Sequence, residues 1–138
     1  MRYLGLDLGS KTLGVALSDK TGFIASSLKI IRHNEEYDRL INDVMELVDE
    51  FSVDAIVLGF PKNMNGSIGF KGELSLDFKK KLENNLNIPI YLQDERLSTK
   101  SATDILIQGN MSRKKRKGVI DAVAATIILQ SYLDRREG

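Results

Sequence analysis

Carboxylates stand at three points of this chain where a sheet should end or a helix should be buried: Asp7, the neighbours Asp94-Glu95, and Asp121. From Tyr3 to Leu8 the residues alternate, with Leu4, Leu6 and Leu8 on one side and Tyr3, Gly5 and Asp7 on the other. That is the period of a strand, so Asp7 is expected to emerge opposite the leucines, near the strand end. Asp94-Glu95 follows the short apolar run Ile88 to Leu92. Asp121 lies inside the most apolar helical segment, where helical geometry gives it one face with Ala125 and Ile128, close to Ala124. It is therefore expected to point at packed surface, and a buried carboxylate is costly unless a cation or donors compensate it.

Three carboxylates drawn from two strand ends and one helix suit a hard divalent cation, Mg²⁺ or Mn²⁺, which takes oxygen ligands. Two such ions within about 4 Å of each other can activate a water and stabilise the leaving oxygen of a phosphodiester, leaving a 5′-phosphate and a 3′-hydroxyl. Each acid also has a plainer role. Asp7 could hold the turn at Gly9-Ser10 through backbone amides, Glu95 could pair with Arg96, and Asp121 could stabilise the amino end of its own helix. Singly these roles are as good as the metal reading. Together they require three unrelated coincidences, so the constellation is preferred over any one of its members.

Other chemistries find less support. No Cys is present, which excludes disulfides, thiolate nucleophiles and Cys-ligated zinc or iron–sulfur sites, and the single His disfavours zinc generally. Gly9-Ser10-Lys11-Thr12 resembles the end of a phosphate-binding loop, but its Gly and Lys are not adjacent and the upstream Gly is missing. His33 is expected to be a solvated residue between strand and helix. Without a second strong base, Ser10, Ser98 and Thr99 cannot be activated as nucleophiles.

The 138 residues, 42% of them hydrophobic and 28% charged, fit one compact domain spanning 1–138. The longest uncharged apolar stretch, Ala122 to Leu129, is far too short for a membrane span. Asp7 also interrupts the N-terminal apolar run before an export signal could form. A soluble, cytoplasmic chain is expected, and the lack of Cys fits a reducing compartment. Net charge is only +1, yet residues 111–138 hold 7 basic and 3 acidic side chains, with the excess in Arg113-Lys114-Lys115-Arg116-Lys117. This run is either a solvated loop or a phosphate-binding patch.

The elements that must carry these groups follow from periodicity. Three strands, Tyr3 to Leu8, Leu13 to Ser18 and Phe23 to Ile31, are joined by tight turns into an antiparallel meander. Asn34 is expected to cap a helix whose Tyr37, Leu40, Ile41, Val44, Leu47, Val48 and Phe51 share one face. A buried parallel strand, Asp54 to Gly59, leads into a Gly- and Asn-rich loop over 61–72, then a helix with Leu74, Phe78 and Leu82 on one stripe. The strand Ile88 to Leu92, a helix from Ser98 to about Gly109, and a last helix from about Gly118 to Asp134 complete the order βββαβαβαα. This predicts an α/β fold, a mixed five-stranded sheet with helices on both faces.

Leu4-Gly-Leu-Asp-Leu-Gly-Ser-Lys-Thr-Leu-Gly-Val-Ala-Leu-Ser-Asp19, Gly59-Phe-Pro-Lys-Asn-Met-Asn-Gly-Ser67, Asp94-Glu-Arg-Leu-Ser-Thr99, the basic run and Asp121-Ala-Val-Ala-Ala125 together resemble the YqgF family. Its members are described as candidate pre-16S ribosomal RNA nucleases and candidate Holliday junction resolvases with an RNase H-like fold. These motifs, in the right order over nearly the whole chain, make the resemblance far more specific than any one of them does.

The resemblance implies that Asp7, Glu95 and Asp121 are catalytic, metal-binding acids. It also implies that Arg113, Lys114, Lys115, Arg116 and Lys117, with the 60–70 loop, contact nucleic acid. Phe60 stands where the family commonly has Leu, and Asn65 where it has Asp. Gly118 and Ala122 occupy positions where Lys is frequent, which removes positive charge near the site. In physical terms, Asp7 and Asp121 would hold the ions and Glu95 would complete the cage. Lys117 and Arg96 are candidates to neutralise the scissile phosphate. No aromatic residue lies near the basic segment, so base stacking is expected to be secondary.

The leading expectation is a metal-dependent endonuclease trimming precursor ribosomal RNA, as a monomer or weak homodimer. The alternatives are a dimeric resolvase of branched DNA, a non-catalytic ribosomal RNA-binding module, and one lobe of an actin-like or sugar-kinase ATPase, which needs a second lobe.

Overall fold

The computed structural model describes residues 1–61, 68–94 and 113–137, with side chains of the last helix described from 123 to 135. Its strands are β1 (Tyr3–Leu8), β2 (Thr12–Ser18), β3 (Ala25–Arg32), β4 (Ala55–Phe60) and β5 (Ile90–Asp94). Its helices are α1 (Tyr37–Phe51), α2 (Phe70–Asn85) and α3 (Arg113–Glu137). The sheet has five strands in the order β3-β2-β1-β4-β5. β1, β2 and β3 form the antiparallel meander, whereas β4 and β5 run parallel to β1, because α1 and α2 supply the crossovers that parallel strands require. The fold is α/β and mixed, as the element order predicts.

Helices cover both faces. Leu4, Leu6 and Leu8 of β1 join Leu13, Val15, Ile56 and Leu58 in a core with the apolar faces of α1 and α2, among them Leu40, Val44, Phe78 and Leu82. On the other face Tyr3, Ala16, Ala55 and Val57 pack against Ala125, Ile128, Leu129 and Leu133 of α3. The two-residue alternation of β1 produces this division. Among the described residues no helix is long and apolar enough to cross a membrane.

Three local expectations are corrected. Asn34 does not cap α1: Glu36 occupies the N-cap position with no side-chain hydrogen bond, and Glu35 takes a left-handed conformation at φ 64°. The helix expected beyond Gly72 begins at Phe70 and draws Gly72 inside it, close to the Pro61 carbonyl. The basic run Arg113 to Lys117 is not a loop but the opening turns of α3. Long unbranched Arg and Lys lose little rotamer freedom in a helix, so a mixed run of them propagates one despite like charge. The helix expected from Ser98 to about Gly109 lies outside the described residues.

Candidate functional site

Asp7 sits half-buried one residue from the end of β1, on the face covered by α3. Its neighbours across the sheet are bare backbone. Asp7 pairs with Gly14 of β2. The parallel ladder between β1 and β4 runs to Leu6 and Leu58, so the next step sets Asp7 beside Gly59, which pairs in turn with Gln93 of β5. One row therefore reads Gly14, Asp7, Gly59, Gln93, and between the carboxylate and the amide lies a glycine with no side chain to fill the lane.

Gln93 is 8% exposed, and its Oε1 is buried without a hydrogen-bond partner among the described residues. Leaving a buried acceptor unpaired costs about 1–3 kcal/mol, so such an atom in a folded protein calls for a reason. Sequence reading missed Gln93. The residue stands beside Asp94-Glu95, but its level with Asp7 depends on a parallel register that one sequence does not reveal.

Helix α3 lies close over this face. A Cβ on Gly5 would fall 2.7 Å from the Leu129 Cβ and 3.2 Å from the Ala125 carbonyl oxygen, so only glycine permits the approach. Two residues earlier on β1, the Tyr3 ring meets Tyr132 with centroids 5.9 Å apart. Tyr132 also stacks on Tyr91 of β5 at 5.3 Å. The helix thus runs antiparallel to β1, its C-terminal part over Tyr3 and earlier residues over Gly5. Gln130 fixes the lateral position by accepting from the Ala25 amide at 2.9 Å and donating to the Phe23 carbonyl at 2.8 Å.

Of the three acids singled out by the sequence, Asp7 is described in full. Position 121 is the ninth residue of α3, so the alternative of a first-turn acid is excluded by the helix's own length; its side chain lies outside the described residues. Glu95 and Arg96 lie outside them too, as do the side chains of Arg113, Lys114, Lys115, Arg116 and Lys117. Asp94 ends β5 in register with Phe60.

The turn that follows Asp7 is pinned by the one histidine. His33 is buried rather than solvated. The Glu35 amide donates to its Nδ1 at 2.9 Å, which leaves Nε2 to donate to the Gly9 carbonyl at 3.0 Å, while the His33 amide donates to the Lys11 carbonyl at 2.9 Å. With both ring nitrogens engaged, His33 is a strut between the β1–β2 turn and the entry to α1, not a metal ligand or a base. The other hairpin is held by Asp19. Its carboxylate accepts from the Thr21 hydroxyl and from the amides of Phe23 and Ile24. These donors, the Thr21 hydroxyl foremost, lower its pKa from 3.8 to about 2.

The family model for RuvX, Holliday junction resolvase, matches residues 1–135. A Bacillus subtilis (strain 168) protein named "Putative pre-16S rRNA nuclease" is 54% identical over 135 residues, 97% of this chain and 98% of that one. A Geobacillus sp. (strain WCH70) protein of the same name is 52% identical over 138 residues, covering 99% and 100% of the two chains. Among solved structures, T. thermophilus RuvC in complex with a Holliday junction substrate superposes with a TM-score of 0.62 at 17% identity, covering 100% of this chain and 96% of that one. That likeness shows a shared, RNase H-like fold. With full-length relatives above half identity and a family model spanning all but three C-terminal residues, the chain belongs to the RuvX family, the same YqgF family that its motifs resemble.

Proposed function

We propose that the chain, acting as one domain over residues 1–138, is a metal-dependent endonuclease of structured nucleic acid, with Asp7, Glu95 and Asp121 as its catalytic acids. The observation that carries this reading is the antiparallel seating of α3 on β1. Gly5 meets Ala125 and Leu129, and Asp7 lies two strand residues further on. Two strand residues span about 6.6–6.8 Å, the rise of roughly four to five helical residues, so counting back from Ala125 and Leu129 brings Asp7 level with the stretch of α3 from about 120 to 125, the stretch that contains position 121. Glu95 follows directly on β5, whose Gln93 shares the row of Asp7.

The donor set fits Mg²⁺ or Mn²⁺ and not a softer metal. Cysteine is absent, the one histidine is spent on backbone groups, and what remains are carboxylates. When bound, such ions supply Lewis acidity to a water and to the leaving oxygen of a phosphodiester. The chain's residues do the rest. Asp7 and Asp121 hold the charge at the strand end and Glu95 completes the oxygen shell. Arg96 and Lys117 offset the scissile phosphate, and Arg113 to Arg116, one turn further out on α3, bind neighbouring phosphates.

Precursor ribosomal RNA is the preferred substrate over a DNA junction, because the relatives above half identity carry a pre-16S rRNA nuclease name, whereas the likeness to the junction-bound structure is one of fold. Asp7→Asn, assayed with Mn²⁺ or Mg²⁺ on both a precursor 16S RNA and a four-way DNA junction, tests the proposal. Loss of cleavage by a folded variant is expected; retained cleavage would remove Asp7 from the catalytic acids, and retained cellular function would favour a non-catalytic RNA-binding domain. Light scattering bears on the junction substrate: paired cuts need a two-fold dimer, whereas RNA trimming can proceed with a monomer, so a strictly monomeric species even with junction DNA bound would count against resolvase action.

A further inference from the structure

Gln93 is a buried polar group near the candidate site that the cleavage chemistry does not use and that, unlike His33, keeps an atom without a partner among the described residues. Its environment defines what it can bind. β5 turns its odd-numbered residues toward α3: Tyr91 stacks on Tyr132 from that face, and Gln93 follows two residues later on the same side. The side chain is buried, and its carbonyl oxygen, an obligate acceptor, has no donor among the described residues. Across the bare backbone of Gly59, about 9.6 Å away at two strand spacings, stands Asp7, whose carboxylate oxygens are acceptors too. Two acceptors at the ends of one side-chain-free lane cannot satisfy each other. A hydrogen-bearing species with positive charge can engage both.

We infer that Gln93 is a positioning residue for a hydrated divalent cation, its Oε1 accepting from the cation's hydration shell while Asp7 ligates the ion. Mg²⁺ keeps several of its waters when it binds protein, so a neutral acceptor placed behind the first ligand orients that shell without adding charge. This rests on the reading of Asp7 as a cation ligand and adds to it a group outside the three acids. It also accounts for an unfavourable orientation: the carbonyl oxygen is kept inside without a donor among the described residues because the bound state supplies one.

The test uses the full chain, Mn²⁺ as the probe, calorimetric titration for affinity and thermal unfolding without metal for stability. Gln93→Met keeps the unbranched shape and removes the orphaned acceptor. It is expected to raise the metal-free Tm by a few degrees while weakening Mn²⁺ binding about 10- to 100-fold. Gln93→Glu restores an acceptor and adds charge beside Asp7, so it is expected to bind Mn²⁺ at least as tightly as the wild type and to unfold earlier without it. Opposite movement of stability and affinity is a signature that a packing role does not produce. The inference is overturned if Gln93→Met binds Mn²⁺ like the wild type, or loses stability and affinity together, or fails to fold. If the wild type binds no Mn²⁺, or Asp7→Asn binds it equally well, the reading of the acids falls and this one with it.

Discussion

The two faces of the sheet are built from opposite materials. Under α1 and α2 the strands present Leu4, Leu6, Leu8, Leu13, Val15, Ile56 and Leu58, all large and nearly all fully buried. Under α3 the same strands present Gly5, Asp7, Gly14, Ala16, Ala55, Val57 and Gly59. The first face excludes water over a large apolar area and supplies most of the fold's stability. The second gives up side-chain volume so that a helix can approach closely and leave a lane of bare backbone around one carboxylate. The pleat of β1 makes the division: its even-numbered residues enter the core under α1 and α2, and its odd-numbered ones face α3 and the proposed site.

That separation is broken most visibly at Asp7. Asp7→Asn is expected to reduce metal-supported cleavage by more than about 1,000-fold, several kcal/mol of transition-state stabilisation, with Tm unchanged. On the other face Leu6→Ala is expected to do the reverse, lowering unfolding free energy by about 2–5 kcal/mol in denaturant titrations while the residual folded fraction keeps its activity. Gly5→Ala sits between the two. Its new methyl collides with Leu129, so about 1–3 kcal/mol of stability is lost, and the displacement of α3 lowers activity as well. His33→Ala removes the strut at Gly9 and Glu35 and is expected to cost about 1–3 kcal/mol, because two backbone groups lose their partner.

The smallest effect lies far from both faces, at the β2–β3 hairpin. The Asp19 pKa is lower folded than unfolded, so its stabilisation is complete above the ordinary value of 3.8 and disappears as pH falls through about 2. Asp19→Asn should therefore unfold slightly earlier than wild type at pH 7, and the gap should close as the thermal scans are repeated between pH 4 and pH 2. A gap that widens toward acid would contradict that sign.

Local pattern made much of this molecule legible. Tyr3 to Leu8 alternates so regularly that its strand bounds and the face of Asp7 follow directly, and the helix Tyr37–Phe51 carries a stripe that any three-and-four spacing finds. Pairing between distant segments was not legible. The row from Gly14 through Asp7 and Gly59 to Gln93 depends on parallel register, which is set by crossover length and helix packing and not by the strands themselves. His33, a polar residue between strand and helix, reads as solvated, whereas the turn carbonyl at Gly9 and the amide at Glu35 give it partners inside. The basic run reads as a loop from its charge density, whereas the helix propensity of Arg and Lys carries α3 through it.

The central claim is that Asp7, Glu95 and Asp121 share one cation-binding pocket beneath α3. Anomalous diffraction from crystals soaked in Mn²⁺ measures this directly. Peaks on the Asp7 carboxylate, with the side chains at 95 and 121 in the same coordination shell, are the predicted result. Manganese bound elsewhere on the chain, or the 121 carboxylate turned away from Asp7 into solvent, would contradict it.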